Sequence, residues 1–155
     1  MEYLYAAYGS NTDVQQFKFR CPHSQLVGRG IIEGYMLTFQ GQTGNAYCNI
    51  LKVNSKDKKP CTPVAIWRIT DNDLSRLDRY EGYPTVYNRV EIPVKVSEME
   101  LVKCVVYVMT EGKEVPYNVP SLEYLYTVMR GYKMNCLNPK FLYEALATAY
   151  KKSNK

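Results

Sequence analysis

A short helix that is made to stop constrains this chain more than any other stretch. Leu74 and Leu77, with Tyr80 or Glu81 one turn further on, repeat at helical spacing. Thr70 or Asp71 supplies the N-cap, and acidic residues follow in the first turn, where the helix dipole favours them. Gly82 offers the left-handed residue that closes a helix, and Pro84 forbids its continuation. Strand-like text lies on both sides. Residues 63–69 alternate before the helix. Residues 86–96 and 101–109 alternate after it around a polar turn at 97–100, which predicts an antiparallel hairpin. Pro93 predicts an edge position or a bulge in the first of these strands.

The same alternation of element types runs through the rest of the chain. Residues 3–8 read as a short buried strand, halted by Gly9-Ser10-Asn11-Thr12. Asn11 or Thr12 then caps a helix with Val14 and Phe17 inside, ending before Cys21-Pro22. A strand, a glycine turn and a helix N-terminus in succession aim several N–H groups one way, which suits a carboxylate or an oxyanion. Residues 25–40 are strand-like, with Gly28, Gly30 and Gly34 as bends, bulges or close approaches. A turn at 41–45, a strand at 46–53 and a lysine-rich hairpin end at 54–59 follow.

After a loop at 110–120, which contains Tyr117, Ser121 caps a helix with Leu122, Leu125, Val128 and Met129 on one face and Gly131 near its end. Pro139 opens a last helix, striped by Leu142, Ala145, Leu146 and Ala149. Strands with helices between and after them predict an α+β fold, a mixed, largely antiparallel, curved or barrel-like sheet with flanking helices. One domain spans residues 1–150, and residues 151–155 form a basic solvated tail.

Composition excludes several classes. At 155 residues, with 46% apolar and 23% charged residues, the chain is an ordinary globular one that can bury a core unaided. The +5 charge is modest and partly in the tail, so nucleic acid is not an expected partner. No apolar run approaches the ~20 residues that span a bilayer, so no membrane partner is expected. Cys21, Cys48, Cys61, Cys104 and Cys136 form no CxxC pair, and His23 is the single histidine. Reduced thiols, a cytoplasmic location and no metal are the expectations. Fifteen tyrosines against four phenylalanines and one tryptophan suit a wet pocket walled by aromatic rings. The same aromatic content fits a monomer or a homodimer.

Glu81 falls in the last helical turn, beside unpaired carbonyls and the negative end of the dipole, where a carboxylate is disfavoured. Cover from Tyr80, Tyr83 and Tyr87 would raise its pKa further, toward what a general base near neutral pH needs. The bland alternative is a solvated helix-end glutamate. Ser10 lacks a partnering His or Lys by motif. Tyr8 fits strand core as well as a ligand contact, and Tyr124 fits a packed helix face as well as a pocket wall.

Tyr8-Gly9-Ser10-Asn11 at the end of the first strand, together with Leu77-Asp78-x-x-Glu81-Gly82-x-Pro84-x-x-Tyr87, resembles the γ-glutamylcyclotransferase family, which includes AIG2-like members. Tyr124, followed by Gly131 and a final helix, looks like its γ-glutamyl-amino-acid branch. The resemblance implies a mixed α/β barrel with a pocket at one end and a small-molecule γ-glutamyl substrate. It also implies that the glutamyl end binds at Tyr8, Gly9, Ser10 and Asn11, and that Glu81 both accepts and donates the proton.

That chemistry fits the residues. The α-amine of a γ-glutamyl amide attacks its own γ-carbonyl, giving 5-oxoproline and releasing an amine or amino acid. Nucleophile and electrophile share one molecule, so neither a nucleophilic side chain nor a cofactor is needed. Glu81 would take the amine's proton and return it to the leaving nitrogen. Backbone N–H groups of Gly9, Ser10 and Asn11 would hold a carboxylate or the oxyanion. A hydroxyl of Tyr87 or Tyr124 would position either group. The competing expectation is a non-catalytic module that binds a γ-glutamyl or similar small ligand. The leaving group stays open: amino acid, lysine side chain, polyamine or cysteinyl peptide.

Overall fold

The alternating runs become seven strands among the described residues, and the computed structural model describes residues 1–56, 59–112 and 115–153. The strands are β1 (Glu2–Ala7), β2 (Gln25–Glu33), β3 (Tyr35–Gln42), β4 (Asn45–Lys52), β5 (Cys61–Thr70), β6 (Tyr87–Ser97) and β7 (Glu100–Met109). The helices are α1 (Val14–Arg20), α2 (Asp71–Glu81), α3 (Leu122–Met134) and α4 (Lys140–Ser153). Five strands close a barrel in the order β1-β5-β2-β6-β7. Antiparallel pairs make up most of it, and β1 meets β7 in parallel at Tyr5↔Val105. β3 and β4 form a separate two-stranded hairpin.

Period-two alternation sorts the side chains of β1, β5 and β7 into two cores, because successive residues point to opposite faces of a strand. Ala6, Tyr8, Val64, Ile66, Cys104 and Val106 join one core with the β3–β4 hairpin, α3 and α4. Tyr5, Ala7, Trp67, Ile69, Val105 and Tyr107 join the other with α1 and α2. Strands buried on both faces read as continuous apolar text, which is how the Tyr5-Ala6-Ala7-Tyr8 run, across the end of β1 and the residue after it, appears.

Local chemistry sets the ends of α2. Thr70 and Asp73 form a reciprocal capping box, with Thr70 N–H to Asp73 Oδ2 at 3.0 Å. Gly82 closes the helix in the left-handed region (φ 68°), and Tyr83 N–H returns to Asp78 O at 2.8 Å. An alanine there meets a left-handed penalty of about 1–2 kcal/mol, and its Cβ would lie 3.0 Å from Val86 Cγ2. Gly82→Ala is therefore expected to lower the unfolding free energy by that amount, read as a lower urea midpoint with m unchanged. An unmoved midpoint would refute it.

Several sequence expectations shift. Gly34, at φ 85°, splits the 25–40 stretch into β2 and β3. Asp13, rather than Asn11 or Thr12, caps α1 by accepting Gln16 N–H, because Ser10–Thr12 forms its own 3-10 turn. Pro93 lies within a closed barrel opposite Lys103, and the register shift falls further on, between Lys95 and Ser97. The β2–β6 seam carries a single register pair, Ile31↔Lys95, so a missing N–H disturbs little ladder there. Leu122 is 72% exposed because the buried stripe of α3 runs through Val128, Gly131 and Tyr132. α4 continues through Lys151, Lys152 and Ser153, so that part of the expected tail is helical, and residues 154–155 lie outside the described residues. Residues 57–58 of the hairpin end and 113–114 of the loop also lie outside them. No described helix is long and apolar enough to cross a membrane.

Candidate active site

α2 is held against the barrel three residues before its end. Asp78 accepts from Arg89 of β6 at 2.5 Å and from the Tyr107 hydroxyl of β7 at 2.6 Å. Residues three apart share a helix face, so Glu81 follows Asp78 toward the barrel end. There it meets the 3-10 turn that leaves β1. Asn11 Nδ2 lies 3.4 Å from Glu81 Oε1, a long contact, and donates to the Tyr5 hydroxyl at 3.0 Å.

The turn is clamped from below. Trp67 Nε1 donates to Asn11 O at 3.1 Å, Asn135 Nδ2 to Thr12 O at 2.7 Å, and Tyr132 OH to Tyr8 O at 3.0 Å. Arg130 Nε donates to the fully buried Asp13 carboxylate at 2.5 Å. N–H groups of Thr12 and Asp13 close the turn on Gly9 O and Ser10 O. Those of Ser10 and Asn11, the first two, have no acceptor within it.

Cys48 of β4 joins two further tyrosines. Its N–H donates to Tyr124 OH at 3.0 Å, and its carbonyl accepts from Tyr87 OH at 2.8 Å. The neighbouring Asn49 side chain accepts Met109 N–H at 2.9 Å and ties the hairpin to β7. These elements enclose a cavity of about 360 Å³. All seven residues singled out from sequence line it: Tyr8, Gly9, Ser10, Asn11, Glu81, Tyr87 and Tyr124.

Protonation follows from burial. Desolvation pushes the Glu81 carboxyl up to about 7, and the Arg20 guanidinium opposes that by favouring the charged form. The cover differs from the one expected. Tyr80 and Tyr83 are 55% and 38% exposed, whereas Tyr5, Tyr8 and Tyr87 are buried. Burial also raises the Tyr8, Tyr87 and Tyr124 hydroxyls, which keeps them protonated at neutral pH. It pushes the Cys48 thiol up to about 12, so that sulfur is not a nucleophile.

Hydroxyl accounting separates the tyrosines. Tyr8 donates its proton to Tyr107 O and Tyr87 donates to Cys48 O. Tyr5 and Tyr124 accept from Asn11 Nδ2 and from Cys48 N–H, so those bonds leave their hydroxyl protons unused. Neither histidine nor lysine lines the cavity, so Ser10 has no base beside it there.

Reading along the sequence misses Tyr5, Tyr47, Tyr107, Arg79 and Arg20. The first four line the cavity. Arg20, at the end of α1, donates to Asn11 Oδ1 and to the Tyr80 hydroxyl, with its guanidinium carbon 3.6 Å above the Tyr80 ring. It thereby fixes which end of the Asn11 amide faces Glu81. A basic residue in the last turn of a helix that follows the glycine turn was the available signal.

Comparisons with known proteins agree with this architecture. A family profile described as "Gamma-glutamyl cyclotransferase, AIG2-like" matches residues 5–126. The protein named gamma-glutamylcyclotransferase in Bos taurus is 27% identical over 139 residues, covering 87% of this chain and 72% of that protein. Its Mus musculus namesake is 27% identical over 143 residues, with 90% and 74% covered. A solved structure named gamma-glutamyl cyclotransferase superposes with a TM-score of 0.78 at 23% identity, over 94% of this chain and 86% of that one, a likeness of fold. The chain belongs to the gamma-glutamyl cyclotransferase, AIG2-like family.

Proposed function

We propose that this protein is a γ-glutamylcyclotransferase-type enzyme that closes a γ-glutamyl amide to 5-oxoproline and releases an amino acid or amine. One observation carries the proposal. Glu81, a carboxyl raised to about 7, sits in an aromatic cavity within reach of the turn formed by residues 10–12. A base with that pKa is partly ionised at neutral pH and holds a proton well enough to return it.

In the proposed sequence the substrate's α-carboxylate rests on the N–H groups of Ser10 and Asn11. Its ammonium faces Glu81 and gives up a proton to it. The freed amine forms a bond to the γ-carbonyl carbon, and the carbonyl oxygen takes up the electron pair. Tyr124 O–H or Tyr5 O–H stabilises that oxygen. The tetrahedral centre then collapses: Glu81 returns its proton to the leaving nitrogen as the bond to that nitrogen breaks, and the regenerated carboxylate takes the second proton from the ring nitrogen and passes it to the released amine. The step is intramolecular, so positioning replaces a protein nucleophile and no cofactor enters. A cytoplasmic location is part of this proposal, supported by five widely spaced cysteines that are all free thiols.

The test is 5-oxoproline release from γ-glutamyl-alanine, γ-glutamyl-ε-lysine and glutathione by wild type and by Glu81→Gln. Equal turnover by the two proteins excludes Glu81 as the base. Binding without turnover by wild type would leave a ligand-binding module. The pH profile adds an independent readout. The base is the ionised form, so kcat/KM is expected to fall as pH drops through about 7, approaching tenfold per unit below it. A profile flat from pH 8 to pH 5 would contradict the assignment.

A further inference from the structure

Resting on the cyclisation reading above, we propose that Asp78 is a positioning residue for Glu81. Bonded to Arg89 of β6 and Tyr107 of β7, it fastens the last turn of α2 to the barrel end and keeps the Glu81 carboxylate facing the cavity instead of water. In the proposed reaction neither Asp78, Arg89 nor the Tyr107 hydroxyl touches the substrate. They act through the place that Glu81 occupies.

Glu81 is the last residue of α2, in a turn whose carbonyls have no partners further along the helix. The closing bonds, Gly82 N–H to Arg79 O at 3.3 Å and Tyr83 N–H to Asp78 O at 2.8 Å, shape that turn but run within it. Asp78 attaches it to the sheet. Arg89 and Tyr107 stand opposite each other in the β6–β7 register, so their side chains share a face. Asp78 Oδ2 accepts from Arg89 Nη1 at 2.5 Å and Oδ1 accepts from the Tyr107 hydroxyl at 2.6 Å, which commits both carboxylate oxygens. The Arg89 guanidinium carbon also lies 4.8 Å from the centre of the Tyr83 ring and so holds the residues that follow the helix. Tyr107 lines the cavity, meets Tyr5 edge to face at 5.8 Å and receives the Tyr8 hydroxyl on its carbonyl. One clamp therefore joins α2 to the tyrosines that wall Glu81 in.

That place matters because the Glu81 carboxyl is raised first by desolvation, with Arg20 of α1 as the opposing charge. Tyr5 and Tyr8 from β1, Tyr80 from α2 itself and Tyr87 from β6 also act on it, and burial keeps their hydroxyls protonated. Arg79 of α2, Cys48 of β4 and Tyr124 of α3 line the same cavity. The charge of Asp78 is matched by Arg89, so Asp78 acts on Glu81 through geometry and not as a second negative charge. A loosened turn admits water, lowers the Glu81 pKa and moves the carboxylate away from the substrate amine.

Asp78→Ala strands two donors at once, so the test uses gentler changes. Tyr107→Phe removes one hydroxyl and keeps the ring, and Arg89→Met keeps the stem. The side chains of Arg89 and Asp78 are 31% and 22% exposed, so water reaches whatever is left unpaired, and either variant suffices if the other does not fold. With γ-glutamyl-alanine each is expected to lose about tenfold in kcat with KM within about twofold, because the base moves and the turn that holds the glutamyl end does not. The acid limb of kcat/KM should move down by about one pH unit, and Arg89→Lys should recover most of both losses. Carboxyl-carbon NMR titration of Glu81, assigned by its disappearance in Glu81→Gln, reads the same shift without turnover. Full kcat in the variants, or a loss of kcat with limb and midpoint unmoved, would overturn the proposal. If no compound yields 5-oxoproline, the cyclisation reading fails separately and the NMR midpoint decides. A fall of about one unit from a wild-type value near 7 upholds the clamp. An equal midpoint in wild type and variants, or a wild-type value already near 4.5, overturns it.

Discussion

Glu81→Gln is expected to lose about 10²–10⁴-fold in kcat/KM, the usual contribution of a positioned acid–base group, and at the same time to melt higher than wild type at pH 8. The two effects share a cause. Burial holds the folded-state pKa of Glu81 at about 7, above the ordinary 4.5 that the unfolded chain would show. The folded protein therefore binds this proton more tightly than the unfolded one does. Below pH 4.5 both states are largely protonated and the group costs nothing. As pH rises from 4.5 through 7 the unfolded state is favoured progressively, and above 7 the cost is constant. Moving a carboxyl from 4.5 to about 7 corresponds to an upper bound of roughly 3 kcal/mol. Glutamine has nearly the same shape and no charge, so it removes that cost. A gain of about 1–3 kcal/mol corresponds to a melting temperature some 5 °C higher for a chain of this size. Thermal melts at pH 4 and pH 8 check it, since the advantage should vanish at pH 4. A gap that does not change with pH would show that the carboxyl is not desolvated. Wild-type turnover in the variant would remove Glu81 from the proposed chemistry altogether.

Gly131→Ala is expected to be the most damaging small substitution in the chain. A Cβ at Gly131 would lie 2.1 Å from Thr12 Oγ1, 2.5 Å from Asp13 N and 2.6 Å from Thr12 C. Two of those three atoms are backbone and cannot rotate aside. The helix and the turn must separate, and the bonds from Arg130, Tyr132 and Asn135 to the same turn are strained together. Overpacking of this kind costs about 3 kcal/mol or more. Because the turn carries the proposed carboxylate site, a displacement near 1 Å should also lower kcat/KM on the order of 10²-fold. Gly28→Ala is the control: nothing lies within 4 Å of its Cβ. Urea denaturation of both variants is decisive. A Gly131→Ala unfolding free energy within about 0.5 kcal/mol of wild type would mean that helix and turn are not in this close contact.

Much of the frame is readable along the chain because it rests on interactions that reach no more than four residues. Thr70 and Asp73 cap α2, Gly82 ends it, Ser121 caps α3, and the polar turn after β6 sets the β6–β7 hairpin. These put Glu81 at a helix terminus and leave a turn after β1 with free N–H groups, both evident from spacing. The competition that sequence reasoning lost was also local. Asp13 outcompeted Asn11 and Thr12 as the cap of α1 because the preceding residues form a turn of their own.

What spacing could not supply depends on surfaces meeting across large separations in sequence. Closure of β1 against β5 and β7, with β3 and β4 left outside as a hairpin, follows from how two apolar faces per strand are buried at once, and alternation alone is compatible with several such orders. The same closure brings Tyr5, Cys48 and Tyr87 around Glu81, and it leaves its sequence neighbours Tyr80 and Tyr83 largely in solvent. Helix-end position predicts a raised carboxyl through the dipole. Desolvation by residues from β1, β4 and β6 is what carries it to about 7. Burial is a property of the assembled barrel and has no signature within a single helix. Local chemistry chose the residue, and long-range packing set its pKa.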